Sequence, residues 1–160
     1  MGKSLRINVK LRMTIEIKKL EVSDLELFSS MVRLFEDVFE MKDFEMPSAS
    51  HLQHTLRNEG FMAFVATSEG EVVGGMTVYT LAQYYAEKKL AYIYDLAVLG
   101  KYQRRGIGSR LIELLKNYCR DNGYEEIFVQ ADTVDDYALR FYRATGINEE
   151  EDVRHFYYTL

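Results

Sequence analysis

The strongest constraint on this chain is the run from Tyr92 to Ile112. Tyr92-Ile93-Tyr94-Asp95-Leu96-Ala97-Val98 is apolar and rich in strand formers, and a short loop then leads into Gln103-Arg104-Arg105-Gly106-Ile107-Gly108-Ser109-Arg110-Leu111-Ile112. A strand, a loop and the start of a helix follow one another. Gly106 and Gly108 leave the main chain bare where the helix opens, so unpaired N–H groups and the positive end of the helix dipole are free to meet a ligand. The expected ligand at such a start is a pyrophosphate.

The rest of the pattern places this unit in a layered fold. Thr14 to Leu20 alternates as a half-buried strand, and Ser23 with Glu26 forms a capping-box pattern ahead of Leu25, Phe28, Met31, Val32, Phe35 and Phe39 at helical spacing. A shorter helix is expected from Ser50 to Asn58. Phe61–Thr67 and Val72–Leu81 flank Ser68-Glu69-Gly70-Glu71 as a β-hairpin, and Leu90–Val98 is the next strand. Ile107, Leu111, Leu114, Leu115 and Tyr118 mark the buried stripe of a helix ending at Asn122-Gly123. A strand over Glu126–Ala131, a helix over Asp135–Thr145 closed by Gly146, and a last strand over Glu151–Tyr158 complete the order. Residues 1–13 read as an N-terminal extension and 14–160 as a single domain, a length that buries a sufficient core.

Charge is segregated along the chain, whose net value is −5. Lys101, Arg104, Arg105, Arg110, Lys116 and Arg120 face only Glu113 in residues 101–120, which suits a phosphate-bearing cofactor. Residues 125–152 hold nine carboxylates against Arg140 and Arg143, which suits a cationic substrate. Each charge taken alone reads equally as solvated surface. The basic first 20 residues and Lys101–Arg105 raise a nucleic-acid-binding reading, which the acidic balance elsewhere opposes. One cysteine, Cys119, excludes an intramolecular disulfide, His51, His54 and His155 lack metal-ligand spacing, and no run reaches membrane-spanning length. The expectation is a cytoplasmic protein with no metal, no nucleic acid and no membrane partner.

The spacing Gln103-x-x-Gly106-x-Gly108 after an apolar strand resembles the acetyl-coenzyme A loop of the GNAT acetyltransferase superfamily, and the order of elements is similar over nearly the whole chain. The resemblance implies an α/β (α+β) GNAT fold, a mixed sheet of six to seven strands flanked by about four helices, and acetyl-coenzyme A as cofactor. It implies that the backbone from Arg104 to Ser109, including Arg105 and Ile107, cradles the pyrophosphate, that Gln103 starts the turn, and that the pantetheine arm pairs with Leu96, Ala97 and Val98. It also places the oxyanion donor at a backbone amide near Ala97 or Val98.

Asp95 interrupts an apolar strand in which strict alternation puts Tyr92, Tyr94 and Leu96 on one face and Ile93, Asp95 and Ala97 on the other. Three readings of it stand: a general base whose pKa desolvation raises, an ionised anchor for the ammonium with water taking the proton, or an acid that accepts hydrogen bonds and orients the strand. Asp135-Asp136-Tyr137-Ala138-Leu139-Arg140-Phe141-Tyr142 up to Gly146 resembles the superfamily's second signature. That likeness implies Tyr142 as proton donor to the leaving thiolate; the alternative is a core tyrosine with a satisfied hydroxyl.

Tyr92–Val98, Val129-Gln130-Ala131-Asp132 with Asp135-Asp136, and Gly146–Glu150 with His155-Phe156 are similar to the aminoglycoside 3-N-acetyltransferases. This implies a polycationic acceptor held by Tyr94, Asp95, Asp132, Asp135 and Asp136, although Asp135 also reads as a plain helix N-cap. Polyamines and peptide amines are the alternative acceptors, and a non-catalytic coenzyme A-binding module is the alternative of another class. Phe156, Tyr157 and Tyr158 serve either a homodimer interface or the core.

Overall fold

The computed structural model describes residues 14–160, so the expected N-terminal extension lies outside the described residues. Five strands form one mixed sheet in the order β1-β2-β3-β4-β5: β1 Ile15–Lys19, β2 Phe61–Ser68, β3 Glu71–Ala82, β4 Lys89–Val98 and β5 Tyr124–Val129. Pairings are antiparallel up to β3–β4, and β4–β5 is parallel, joined by the crossover helix α3, Ile107–Asp121. Helices α1 (Leu25–Val38), α2 (Ala49–Arg57) and α4 (Asp136–Arg143) complete the order.

Side-chain alternation splits the core into two layers. Met62, Phe64, Ala66, Met76, Val78, Ala91, Ile93 and Val98 pack against Ile107, Leu111, Ile112, Leu115 and Cys119 of α3. Phe61, Ala63, Val65 and Ala97 turn the other way, onto Phe28, Met31, Leu34 and Phe35 of α1 and Leu52 of α2. No helix among the described residues is long and apolar enough to cross a membrane.

Three expectations are corrected. Among the described residues the sheet has five strands rather than six to seven, because Glu151–Tyr158 joins no ladder; strand-forming side chains need a paired backbone to become a strand. Phe156, Tyr157 and Tyr158 are correspondingly exposed, not core. The N-cap of α1 is Asp24 rather than Ser23, and its carboxylate faces backwards, accepting from Glu21 N (2.8 Å) and Lys18 Nζ (2.8 Å). Those two bonds hold the Asp24 carboxyl below its ordinary value, the lysine contact contributing most.

The third correction lies in β4. The β3–β4 register runs from Gly74↔Val98 to Thr77↔Asp95 and then slips so that Val78 faces Ile93, leaving Tyr94 as an extra residue. This β-bulge breaks the expected alternation. Ile93 packs on the α3 layer while Ala97 packs on the α1 layer, so they do not share a face. Tyr94 and Asp95 instead follow one another on the α1 side, the parity set by Ile93 before them and Ala97 after.

Candidate active site

The β4–β5 ladder ends at Ile93↔Val129, yet β4 continues to Val98. From Tyr94 onward the β5-facing edge of β4 is therefore open among the described residues, and the bulge stands at the mouth of the opening. A cleft of about 810 Å³ continues from it, lined by Leu96, Ala97 and Val98 of β4, the turn into α3, and Tyr137, Ala138, Arg140 and Phe141 of α4.

Nine of the expected cofactor positions line this cleft: Leu96, Ala97, Val98, Gln103, Arg104, Gly106, Ile107, Gly108 and Ser109. Arg105 does not; its guanidinium lies over the Tyr102 ring at 5.5 Å. The turn is left-handed twice, at Arg104 (φ 57°) and at the N-cap Gly106 (φ 76°). Among the described residues no side chain caps α3, so its first-turn amides offer their donors to the cleft, and a Cβ on Gly106 would meet open space. This free, positively polarised helix start beside an unpaired strand edge fits a pyrophosphate-bearing cofactor with an extended arm.

Gly108 has a second reason to be glycine, beyond the one its spacing predicts. It is buried, and a Cβ there would stand 2.8 Å from Cζ of Phe141. Its bareness admits a ring of α4 beside the cleft that Gly108 lines.

Tyr137 and Gln103 brace the turn, a connection that nothing in the spacing announces. Gln103 Nε2 donates to Val98 O (3.0 Å), and the Tyr137 hydroxyl donates to Gln103 Oε1 (3.2 Å). Val38 and Phe39, at the end of α1, also line the cleft and are too distant in sequence to have been found by motif.

Asp95 lies within electrostatic reach of Tyr142. Asp95 is half-buried, its backbone N–H donates to Thr77 Oγ1 (3.2 Å), and burial pushes its carboxyl above the ordinary value. Tyr142 is packed against the α3 layer; burial, then the nearby charges of Asp95 and Asp135, push its phenol up to about 12. The acid block is less unified. Asp135 lines the cleft, and its carboxylate accepts from Ala138 N (2.9 Å), making it the N-cap of α4. Asp132 and Asp136 are exposed on the same turn, and Glu150 is engaged by Arg143 through two nitrogens.

Comparison with known proteins agrees with this geometry. Residues 26–147 match the model of the acetyltransferase (GNAT) family. An aminoglycoside acetyltransferase from an uncultured soil metagenomic sample, solved with trehalose, is 54% identical, with a TM-score of 0.89 over 91% of this chain and 96% of that one. The same protein has been solved with sisomicin. An aminoglycoside N-acetyltransferase, AAC(6')-Iy, solved with coenzyme A, shares only 15% identity and shows likeness of fold alone, with a TM-score of 0.78 over 95% of this chain and 99% of that one. Among curated sequences, the uncharacterized N-acetyltransferase YhfO of Bacillus subtilis is 21% identical over 140 residues, 88% of this chain and 94% of that protein. A GNAT-type turn, an opened β4 edge and a family match over most of the chain lead to one conclusion: this protein belongs to the GNAT acetyltransferase family, N-acetyltransferases that use acetyl-coenzyme A.

Proposed function

We propose that the protein transfers an acetyl group directly from acetyl-coenzyme A to a primary amine of a polycationic small molecule, an aminoglycoside, at its 3-amino group. The observation that carries this reading is the bulge, which sets Asp95 at the open edge of β4 within electrostatic reach of Tyr142. The acceptor class is supported by the acidic turn at Asp132 and Asp136 and by the relative solved with sisomicin. The 3-amino position is supported by the likeness of the Tyr92–Val98 and Val129–Asp136 segments alone. A cytoplasmic setting fits Cys119, a buried free thiol that burial pushes up to about 11.

When bound, acetyl-coenzyme A supplies a thioester acetyl group. Gly106 to Ser109 would hold its phosphates by main-chain N–H groups, and Leu96 to Val98 would hold its arm along the free edge of β4. Asp95 Oδ takes the proton that the acceptor ammonium must lose before its nitrogen can attack. Tyr142, its phenol pushed up to about 12 chiefly by burial, is a neutral O–H donor at working pH and would protonate the departing thiolate. The two side chains thus serve opposite ends of one proton account.

Acetyl-dependent thiol release over a panel of aminoglycosides, polyamines and peptides tests the class, and NMR of the product tests the position. Acetylation confined to neutral or acidic peptides overturns the acceptor, whereas an acetyl group on another ring amine overturns only the position. Asp132→Asn or Asp136→Asn is expected to raise KM for a polycation roughly two- to fivefold, the worth of an exposed ion pair. Added salt shrinks that gap, and a small monoamine shows none of it.

The two glycines are expected to fail differently. Gly106→Val puts a β-branched residue where φ is 76°, so it strains and reshapes the turn, and weakens coenzyme A at least tenfold by titration calorimetry, a change of about 1.4 kcal/mol. Gly108→Val drives a side chain into Phe141 and costs stability, about 1–3 kcal/mol in urea denaturation. Unchanged coenzyme A affinity in Gly106→Val removes the turn from the cofactor site.

A further inference from the structure

The α1 side of the sheet carries a row of aromatic rings that the transfer chemistry does not require. Phe61, Tyr79, Tyr92 and Phe128 are register partners across β2, β3, β4 and β5. Phe61 and Tyr79 have ring centroids 5.4 Å apart, and Tyr92 stacks on Phe128 at 4.8 Å with planes 8° apart. Tyr94, the bulge residue, stands at 80° to both Tyr79 and Tyr92, with centroids at 5.4 Å and 5.8 Å. Four neighbouring strands span roughly 14 Å, so the row is a floor and Tyr94 is its wall.

One end of the floor is covered and the middle is not. Phe61 is buried beneath Phe28, whereas Tyr79 is 40% and Tyr94 60% exposed. The Tyr92 hydroxyl donates to Gln130 Oε1 at 3.0 Å, which fixes its ring in place. Asp95 borders this area on the same face, near enough for its charge to act on the phenols of both Tyr79 and Tyr92. A contiguous, exposed aromatic patch with a carboxylate at its margin is a recognition surface rather than unfinished core.

We infer that Tyr79, Tyr92 and Tyr94 form an acceptor platform that receives the C–H face of a saturated six-membered ring and selects ring-built polyamines over linear ones. The electron-rich ring faces attract the polarised C–H bonds of a sugar or cyclitol, and an ammonium at its rim gains a cation–π contact. A rigid ring also surrenders less conformational freedom on such a floor than a flexible chain does. This inference rests on the proposed acceptor site at Asp95, and the experiment separates the two.

Sisomicin and spermine are titrated calorimetrically into the wild type, Tyr94→Ala, Tyr79→Ala and Tyr94→Phe, with thermal midpoints confirming that each is folded. Either alanine variant is expected to weaken sisomicin about tenfold and spermine less than threefold, and Tyr94→Phe to keep the sisomicin affinity within about threefold. Unchanged sisomicin affinity, or equal loss for both amines, overturns the platform. Acetyl transfer is measured alongside. Tight sisomicin binding that depends on the tyrosines, without transfer, overturns the acceptor reading and leaves the platform; transfer at wild-type KM in both alanine variants does the reverse. Binding of neither amine overturns both.

Discussion

Asp95→Asn is expected to lower acetyl transfer by about two to four orders of magnitude and, at neutral pH, to make the folded protein more stable. Both effects come from the burial that raises the carboxyl above 3.8. Between 3.8 and the raised value, the folded state holds a proton that the unfolded chain has lost. The stability contributed by the neutral acid is therefore complete below 3.8 and is lost as pH rises through the folded value. Asparagine never ionises, so its advantage in denaturant midpoint appears at neutral pH and vanishes below 3.8. The kinetics separate the roles: loss in kcat marks a base, whereas a raised KM at constant kcat marks an anchor for the ammonium. Wild-type rates across the pH range in Asp95→Asn would remove this residue from the chemistry.

Tyr142→Phe is expected to reduce kcat by about two orders of magnitude with coenzyme A affinity nearly unchanged, because only the hydroxyl is deleted. Stability carries an independent signature. The phenol moves from 10.0 to about 12, chiefly through burial, so within that window the folded state keeps a proton that the unfolded chain releases. Its contribution is full below 10.0 and lost as pH rises towards about 12, and the phenylalanine variant lacks that fall. A full wild-type kcat in Tyr142→Phe would assign the thiolate proton to water or to another group.

Much of the architecture is written in local patterns. Helix α3 ends where Asn122-Gly123 predicts, and it opens at Gly106, where the loop-to-helix pattern places its start. What escapes reading is information held between elements. The slip at Tyr94 leaves no trace in composition, because the stretch from Tyr92 to Val98 is rich in strand formers whichever register it takes; only pairing with Thr77 and Val78 reveals it. Asp95 was legible as a misplaced acid, while its shared face with Tyr94 was not. Gly108 and Gly106 look alike in the motif, and a ring from α4, more than 30 positions away in the chain, gives one of them a second purpose. Glu151–Tyr158 shows the converse: residues fit for a strand, with no ladder to join.

The contact between Gly108 and Phe141 also acts as a ruler. Phe141 and Tyr142 are successive residues of α4, and Lys116 Nζ, farther along α3, donates to Thr145 O at 2.8 Å just past the end of α4, so α3 holds α4 and the turn that closes it at two points. With α3 positioned at the phosphate end of the proposed site and Tyr142 at its sulfur end, the spacing of those ends is gauged by helix against helix rather than by the connecting loops. Changes in the loop lengths between β5 and α4 would then leave the gauge intact, whereas a single methyl group at Gly108 would reset it.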